Sequence, residues 1–286
     1  MTIRELRQVI PSVAASDGAG VKLRRSIGSQ RGLYADPFLM LDEFSTDNPD
    51  DYIAGFPAHP HRGFETVTYM LDGHLLHEDH LGNKGDLMSG GAQWMTAGRG
   101  IIHSEMPQQT QGRMRGFQLW VNLPAAEKMK PAWYRDIEPH EIPRVGLDGG
   151  GHAKVIAGRL TTAGLVTAGV ITGITTDVLY IDVELPSGAE FTQALAEDYT
   201  AFLYGYEGHL VVGAASGERA LPAHAAGVLS TGGEIRVVAR NGAARFLLLA
   251  GKPLREPIVQ YGPFVMNTRE EIEQAVNDYQ NNRLTA

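Results

Sequence analysis

The sequence contains no cysteine. Disulfide bonds and thiolate metal ligands are therefore excluded, and any bound metal has to be held by nitrogen and oxygen atoms. The chain also lacks a run of basic residues, and its formal net charge is −8. Because proteins that bind nucleic acid normally carry a Lys/Arg patch that displaces counterions, we expect no direct contact with DNA or RNA.

Long apolar stretches are missing as well. No segment approaches the roughly 20 apolar residues that cross a membrane, and residues 1–13 lack the apolar core of an export signal. The sequence therefore predicts a cytoplasmic protein that has no membrane partner.

Glycine is abundant, with 34 residues. These glycines, together with Asp, Asn and Pro, separate short alternating apolar runs such as 66–71, 116–121 and 178–185. This punctuation is typical of β-sandwiches and β-barrels, so we predict a mainly β fold. One segment, roughly 268–281, differs: a Thr-x-x-Glu capping box precedes apolar residues at helical spacing, which predicts a single amphipathic α-helix.

An internal repeat predicts two similar halves. A shift of the sequence by 135 residues places residues 68–75 on residues 203–210, with Gly-His-Leu identical in both segments. The same shift places Ala194 and Ala196 on His59 and His61. Because Pro143 and the glycines at 149–151 interrupt the apolar pattern, we predict one domain over residues 1–142 and a second over residues 143–286. Chemistry is expected in the first.

Two pairs of candidate metal ligands lie in the first half. His59 and His61 are two residues apart, and His103 and Glu105 repeat that spacing. In a strand, residues i and i+2 point to the same side, so each pair shares a face. Three imidazoles and one carboxylate suit a divalent Fe, Mn, Ni, Cu or Zn ion. The spacing alone also describes polar strand ends that face solvent, and both interpretations stay open at this point.

Three further features carry weaker hypotheses. His74, His77 and His80 cluster with Glu78 and Asp79, but a strand would turn His77 away from the other two, so a solvated hairpin is the favoured interpretation. Glu65, four residues after His61, is either an additional ligand, a hydrogen-bond partner of an imidazole, or a charged residue at a rim. For Gln118 the favoured interpretation is an ordinary polar residue of a strand, and the alternative is a side chain that contacts a bound ligand.

Five stretches of the sequence resemble the pirin family of the cupin superfamily. They are residues 36–44, 56–73, 85–107, 116–124 and 261–275. The resemblance implies a bicupin, in which two small β-barrels or jelly rolls face each other and a C-terminal helix is added. It also implies a metal in the N-terminal domain only, held by His59, His61, His103 and Glu105, with Fe(II) as the expected ion.

The resemblance implies two kinds of function. Some members resemble quercetin 2,3-dioxygenases, which open a flavonol ring with O2; in such an enzyme Glu105 would be the catalytic base that accepts the flavonol proton. Others are iron-dependent transcription cofactors, which bind a protein partner without catalysis. A third alternative is another cupin activity on an unrelated small molecule, because one scaffold hosts many reactions.

Overall fold

The computed structural model describes residues 2–286 and consists mainly of β-strands, as the glycine-punctuated pattern predicts. In chain order the strands are Leu6–Pro11 (β1), Val13–Asp17 (β2), Val21–Arg25 (β3), Phe38–Thr46 (β4), Phe56–His61 (β5), Phe64–Asp72 (β6), His74–Asp79 (β7), Lys84–Met88 (β8), Ala92–Thr96 (β9), Ile101–Pro107 (β10), Met114–Asn122 (β11), Trp133–Ile137 (β12), Arg144–Gly146 (β13), His152–Ala157 (β14), Arg159–Thr162 (β15), Leu165–Ala168 (β16), Leu179–Leu185 (β17), Glu190–Ala194 (β18), Thr200–Val212 (β19), Arg219–Pro222 (β20), Ala225–Leu229 (β21), Glu234–Gly251 (β22), Val259–Tyr261 (β23) and Phe264–Met266 (β24). Two short 3-10 helices, Pro49–Asp51 and Ala125–Glu127, and the α-helix Arg269–Gln280 (α1) complete the structure.

The chain forms two compact units, and neither is continuous in sequence. The N-terminal unit comprises residues 14–28, 38–139 and 254–286, and the C-terminal unit comprises residues 2–13, 29–37 and 140–253. The division after residue 142 stays a prediction of the domain limits. Packing does place α1 in the N-terminal unit, whereas the sequence grouped it with the second half, because chain order alone does not say where a terminal segment returns.

Two main sheets build the N-terminal unit. One has seven strands in the order β12-β9-β6-β11-β4-β3-β2, and the other has four in the order β5-β10-β7-β8. Both strand orders are open paths, so the predicted barrel is a sandwich of sheets without closure. An apolar cluster in this unit contains Val21, Leu23, Phe44, Tyr52, Met70, Leu75, Leu87 and Met114. Burial of these side chains supplies the main favourable term in folding the layer.

A sharp connection joins β5 to β6. Gly63 has φ of +90°, and a Cβ at this position would lie 2.0 Å from the carbonyl oxygen of Val265. Glycine is therefore required both by the backbone conformation and by the close approach of the C-terminal segment. The turn also interrupts the strand alternation that would otherwise run from His61 into β6.

The C-terminal unit has one large sheet with the main order β1-β21-β19-β22-β17-β14-β13, to which β18 and β20 are added. The strand pairing in this sheet shows which residues of the two units correspond to each other. Leu75 pairs with Pro107, and its counterpart Leu210 pairs with Ala239. Ile235 and Val237, both in the apolar core, therefore correspond to His103 and Glu105.

The counterpart of His59 also changes. His59 pairs with His103, whereas Gln193 pairs with Ile235. Gln193 therefore corresponds to His59, and the predicted match with Ala194 is wrong by one residue. The fixed shift of 135 fails here because connections of different length separate the paired strands in the two units.

The predicted amphipathic helix is present and lies within its predicted range. Thr268 caps α1, and its hydroxyl accepts from the Glu271 amide while the Glu271 side chain accepts from the Thr268 amide. Ile272 and Ala275 are buried against Phe264, so α1 packs on the short hairpin β23–β24. Within residues 2–286, none of the helices combines the length and apolarity needed to span a membrane.

Candidate metal centre

Three imidazoles converge in the N-terminal unit. His59 and His61 lie on β5, and His103 lies directly opposite His59 on the antiparallel strand β10. One ring nitrogen of each side chain lies within 4.8 Å of the corresponding nitrogens of the other two. His59 Nε2 and His61 Nε2 are 3.1 Å apart. The structure thus gathers the three histidines whose spacing indicated shared faces.

The environment of His61 and His103 favours the neutral form of both rings. His61 and His103 are buried, and this burial, together with the neighbouring imidazoles, holds the pKa of both rings well below its usual value. Neutral imidazoles offer a lone pair to a cation. His103 Nε2 is fully buried and has no hydrogen-bond partner among the described residues. Because buried polar atoms are normally paired, this donor set fits a divalent transition metal.

Glu105 lies beside this cluster with a different set of contacts. One carboxylate oxygen lies 2.9 Å from the Thr68 hydroxyl, and the other accepts from Gln118 Nε2 at 3.2 Å. The Thr68 hydroxyl also lies 2.8 Å from Gln118 Oε1, so its single proton has two acceptors. Glu105 is outside the group of ring nitrogens that lie within 4.8 Å of one another, but it lines the same cavity as His59 and His61.

Gln118 is therefore more than the ordinary strand residue that the sequence favoured. It occupies the face of β11 that points toward Glu105 and holds that carboxylate. Nothing in the sequence indicated that Thr68, on the neighbouring strand β6, contributes to the site. Its contribution follows only from the pairing of β6 with β11, in which Thr68 and Gln118 lie directly opposite each other.

The hypothesis that Glu65 is a ligand or a partner of an imidazole is wrong. Its carboxylate accepts from Thr96 Oγ1 at 2.6 Å and lies 3.8 Å from Lys130 Nζ. Thr68, three residues along β6, faces Glu105, so strand alternation turns Glu65 to the opposite face. The even separation from His61 was misleading because the turn at Gly63 separates two different strands.

The prediction that the histidines of the β7–β8 hairpin are solvated is confirmed for two of the three. His80 is exposed, and His74 is partly exposed and lies 2.8 Å from Asp86 Oδ1. His77 is instead buried, and its Nδ1 lies 3.3 Å from Nδ1 of His103. The position of His77 two residues after the buried Leu75 could have indicated this, because the two share a face of β7.

A cavity of about 620 Å³ adjoins the cluster. His59, His61 and Glu105 contribute polar groups, and Met40, Phe44, Phe56 and Trp120 contribute apolar wall. Trp120 also packs edge-on against His61 with ring centroids 5.4 Å apart. The volume falls within the range of roughly 300–1,000 Å³ that is typical of small-molecule pockets.

A charged pair lines the same cavity. Arg25 donates from Nε to Asp42 Oδ1 at 2.7 Å and from Nη2 to Asp42 Oδ2 at 2.6 Å. Burial raises the pKa of Asp42 to about 6, while the two hydrogen bonds from Arg25 act in the opposite direction. The pair places fixed polar groups in an otherwise apolar wall, where they can orient a bound molecule.

Comparisons with known proteins agree with this architecture. The family model described as Pirin matches residues 20–121, and the model described as Pirin C-terminal cupin domain matches residues 180–285. A Pseudomonas aeruginosa protein that is provisionally named quercetin 2,3-dioxygenase is 55% identical over 96% of both chains. Human pirin is 42% identical over 93% of this chain and 89% of its own. The crystal structure of a quercetin 2,3-dioxygenase from Acinetobacter baumannii superposes with a TM-score of 0.89 at 34% identity, over 100% of this chain and 99% of the other.

Proposed function

The chain belongs to the pirin family of cupin proteins, and from that premise we propose that it is a metal-dependent dioxygenase that opens the ring of a flavonol such as quercetin with O2. The observation that carries the proposal is the convergence of three buried or half-buried imidazoles beside a carboxylate, at the wall of a cavity of about 620 Å³. The names of the Pseudomonas and Acinetobacter relatives point to the same substrate class.

The four predicted ligands take distinct roles in this proposal. His59, His61 and His103 would hold the metal through ring nitrogens, and Glu105 would supply the fourth ligand atom from its place beside them. Fe(II) is the proposed ion, although the same nitrogen and oxygen donors accept Mn, Ni, Cu or Zn. When bound, such an ion supplies Lewis acidity and a redox partner for O2.

Glu105 is also the proposed catalytic base. A flavonol carries an enolic hydroxyl, and its anion is far more electron-rich toward O2 than the neutral molecule. The Glu105 carboxylate would accept that proton while Thr68 and Gln118 hold its two oxygens in place. Their hydrogen bonds limit its rotation, so the base faces the cavity before substrate arrives.

The cavity wall supports a flat aromatic substrate. Phe56 and Trp120 offer aromatic surface on which a flavonol ring system can stack. The apolar wall also displaces water, which strengthens the interaction between the substrate anion and nearby polar groups. Arg25 and Asp42 would orient the hydroxyl groups at the substrate's periphery.

The test is turnover by metal-loaded protein. Protein loaded separately with Fe(II), Mn, Ni and Cu is mixed with quercetin under air, and the loss of flavonol absorbance is followed. We expect turnover with at least one metal, loss of it in His61→Ala, and retention in His74→Ala, which removes a partly exposed ring. If the protein binds each metal stoichiometrically and none of the metals supports turnover, the proposed dioxygenase activity is refuted. The metal-dependent protein-binding alternative is then tested by a pull-down with and without metal.

A further inference from the structure

His77 touches the histidine cluster without belonging to it. It lies on β7 directly opposite Glu105 of β10, yet its ring turns toward His103. The two Nδ1 atoms are 3.3 Å apart, and the ring centroids are 5.0 Å apart. His77 is only 1% exposed. A buried imidazole in this position has no role in the function proposed above.

The contact between the two Nδ1 atoms limits where the protons can be. Two neutral imidazoles form one hydrogen bond only if one Nδ1 carries a proton and the other does not. His103 Nε2 can present a lone pair only if the proton is on His103 Nδ1. That N–H group then donates to His77 Nδ1. The partner atom thus decides which nitrogen of His103 is available to a metal, as is common for metal-bound histidines.

The surroundings of His77 hold its ring in this orientation. The ring stacks on Tyr134 with a centroid distance of 5.2 Å and an interplanar angle of 10°. The Tyr134 hydroxyl donates to Asp136 Oδ2 at 2.7 Å, and Gln93 Nε2 donates to Asp136 Oδ1 at 2.7 Å. Strand β12 thereby fixes the stacking partner, and with it the plane of the His77 ring.

A glycine makes room for this arrangement. Gly85 lies directly opposite His77 in the β7–β8 pair. A Cβ at Gly85 would come within 2.0 Å of Asp136 Oδ2. The restriction is spatial, because any side chain here would push away the carboxylate that anchors Tyr134. Four side chains and one glycine are thus arranged around His77.

We propose that His77 is a positioning residue of the metal centre, which accepts a hydrogen bond from His103 Nδ1 and so directs His103 Nε2 toward the metal. This inference rests on the metal site of the proposed function, but not on the flavonol reaction. It predicts that metal affinity depends on an acceptor atom at the position of His77 Nδ1, and not only on a ring that fills space.

The test compares three variants by metal affinity. His77→Phe keeps a flat ring without an acceptor, and His77→Asn places an amide oxygen near the position of Nδ1. His74→Phe is the matched control, since it changes a partly exposed histidine of the same strand. Co(II) affinity is measured by competition with a chelator, and the Co(II) absorption spectrum reports the geometry of the ligands.

We expect His77→Phe to weaken Co(II) binding about 10–100-fold and to change the spectrum, while His77→Asn restores most of the affinity and His74→Phe leaves it unchanged. Equal losses in the Phe and Asn variants would show that an acceptor atom at this position does not restore the affinity, and would overturn the inference. Unchanged affinity in His77→Phe would overturn it as well, with the metal site itself left intact. Wild-type protein that binds no Co(II) would refute the metal site and the inference together.

A second measurement needs no substitution. Long-range ¹H–¹⁵N spectra of the metal-free wild-type protein distinguish the two tautomers of a neutral histidine. We expect the proton of His103 on Nδ1. A proton on Nε2 of His103 would contradict the inference, whether or not the Phe variant folds.

Discussion

At the scale of single residues, the site depends on hydrogen bonds to its charged and ligating groups. The Glu105 carboxylate accepts hydrogen bonds from Thr68 and Gln118, and His103 Nδ1 lies 3.3 Å from His77 Nδ1. Hydrogen bonds to a charged group contribute about 1.5–3 kcal/mol, which corresponds to roughly a tenfold or larger effect on a rate. The residues behind the proposed ligands are therefore expected to matter almost as much as the ligands.

Gln118→Leu removes one of the two hydrogen bonds that orient Glu105. We expect kcat/KM for quercetin to fall at least about tenfold, because the carboxylate is no longer fixed for proton transfer. Metal content should change little, since the three imidazoles and Glu105 itself are all retained. Gln108→Leu, an exposed change at the end of β10, is the control. Equal kcat/KM values in wild type and Gln118→Leu would show that Gln118 does not position Glu105 for catalysis.

A buried lysine stabilises the turn behind the cluster. Lys128 Nζ donates to the Gly63 carbonyl at 2.7 Å, to Asn122 Oδ1 at 2.6 Å and to the Val265 carbonyl at 3.0 Å. Burial lowers its pKa to about 8 from an ordinary 10.5. Between these values the unfolded chain binds more protons than the folded chain, so this group makes stability rise with pH over that window, with no such slope below about pH 8.

Lys128→Met tests this linkage. The variant leaves three acceptors without their donor, and we expect a loss of about 2–4 kcal/mol near pH 7. Melting temperatures measured from pH 7 to pH 10.5 should also show a weaker upward trend than in wild type. A trend of the same slope in both proteins would mean that Lys128 does not titrate in this window.

At the scale of elements, the C-terminal helix supports the strand that carries two of the histidines. Arg62 follows His61 directly and is buried, and its Nη1 pairs with Asp278 Oδ2 of α1 at 2.8 Å. Its Nη2 also donates to the Leu284 carbonyl at 3.2 Å. The end of β5 is thus tied to a segment more than 200 residues away in sequence.

Asp278→Ala should therefore destabilise the protein by about 2–4 kcal/mol, because it leaves a buried guanidinium without its counter-charge. The matched control is Glu273→Ala, which breaks the exposed pair with Arg269 on the same helix and should cost less than about 0.5 kcal/mol. Chemical unfolding at pH 7 measures both. Similar small losses in the two variants would show that the Arg62 pair contributes no more than a surface pair.

At the scale of the whole molecule, the proposed ligands lie in only one of the two compact units. The positions of the C-terminal unit that correspond to His59, His103 and Glu105 hold Gln193, Ile235 and Val237, and the two aliphatic side chains belong to an apolar core. Metal binding should therefore stabilise the molecule through the N-terminal unit. The cytoplasmic location and any protein partner stay predictions.

Removal of metal gives a test at this scale. A ligand present at 1,000 times its Kd stabilises the folded state by about 4 kcal/mol. We expect Fe(II) or Co(II) to raise the melting temperature of wild-type protein and a chelator to reverse the rise. His103→Ala should show no such response. A full metal-dependent rise in His103→Ala would mean that the ion binds elsewhere.

Much of the site could be predicted because strand alternation is local. His59 with His61, and His103 with Glu105, share a face because each pair lies within one strand. The Thr-x-x-Glu box marks the start of α1 without knowledge of the fold. The errors have the opposite origin. The face of Glu65 and the counterpart of His59 both depended on where a strand or turn interrupts the local count.

The sequence by itself determined the mainly β character, the C-terminal helix, the family and three histidines that belong together, because each follows from spacing over a few residues or from matched motifs. Only the tertiary structure decided that Thr68 and Gln118 hold Glu105, that His77 lies behind His103 and that Glu65 faces away. These contacts join strands that are far apart in the chain, and their pairing is fixed by backbone hydrogen bonding and burial across whole sheets.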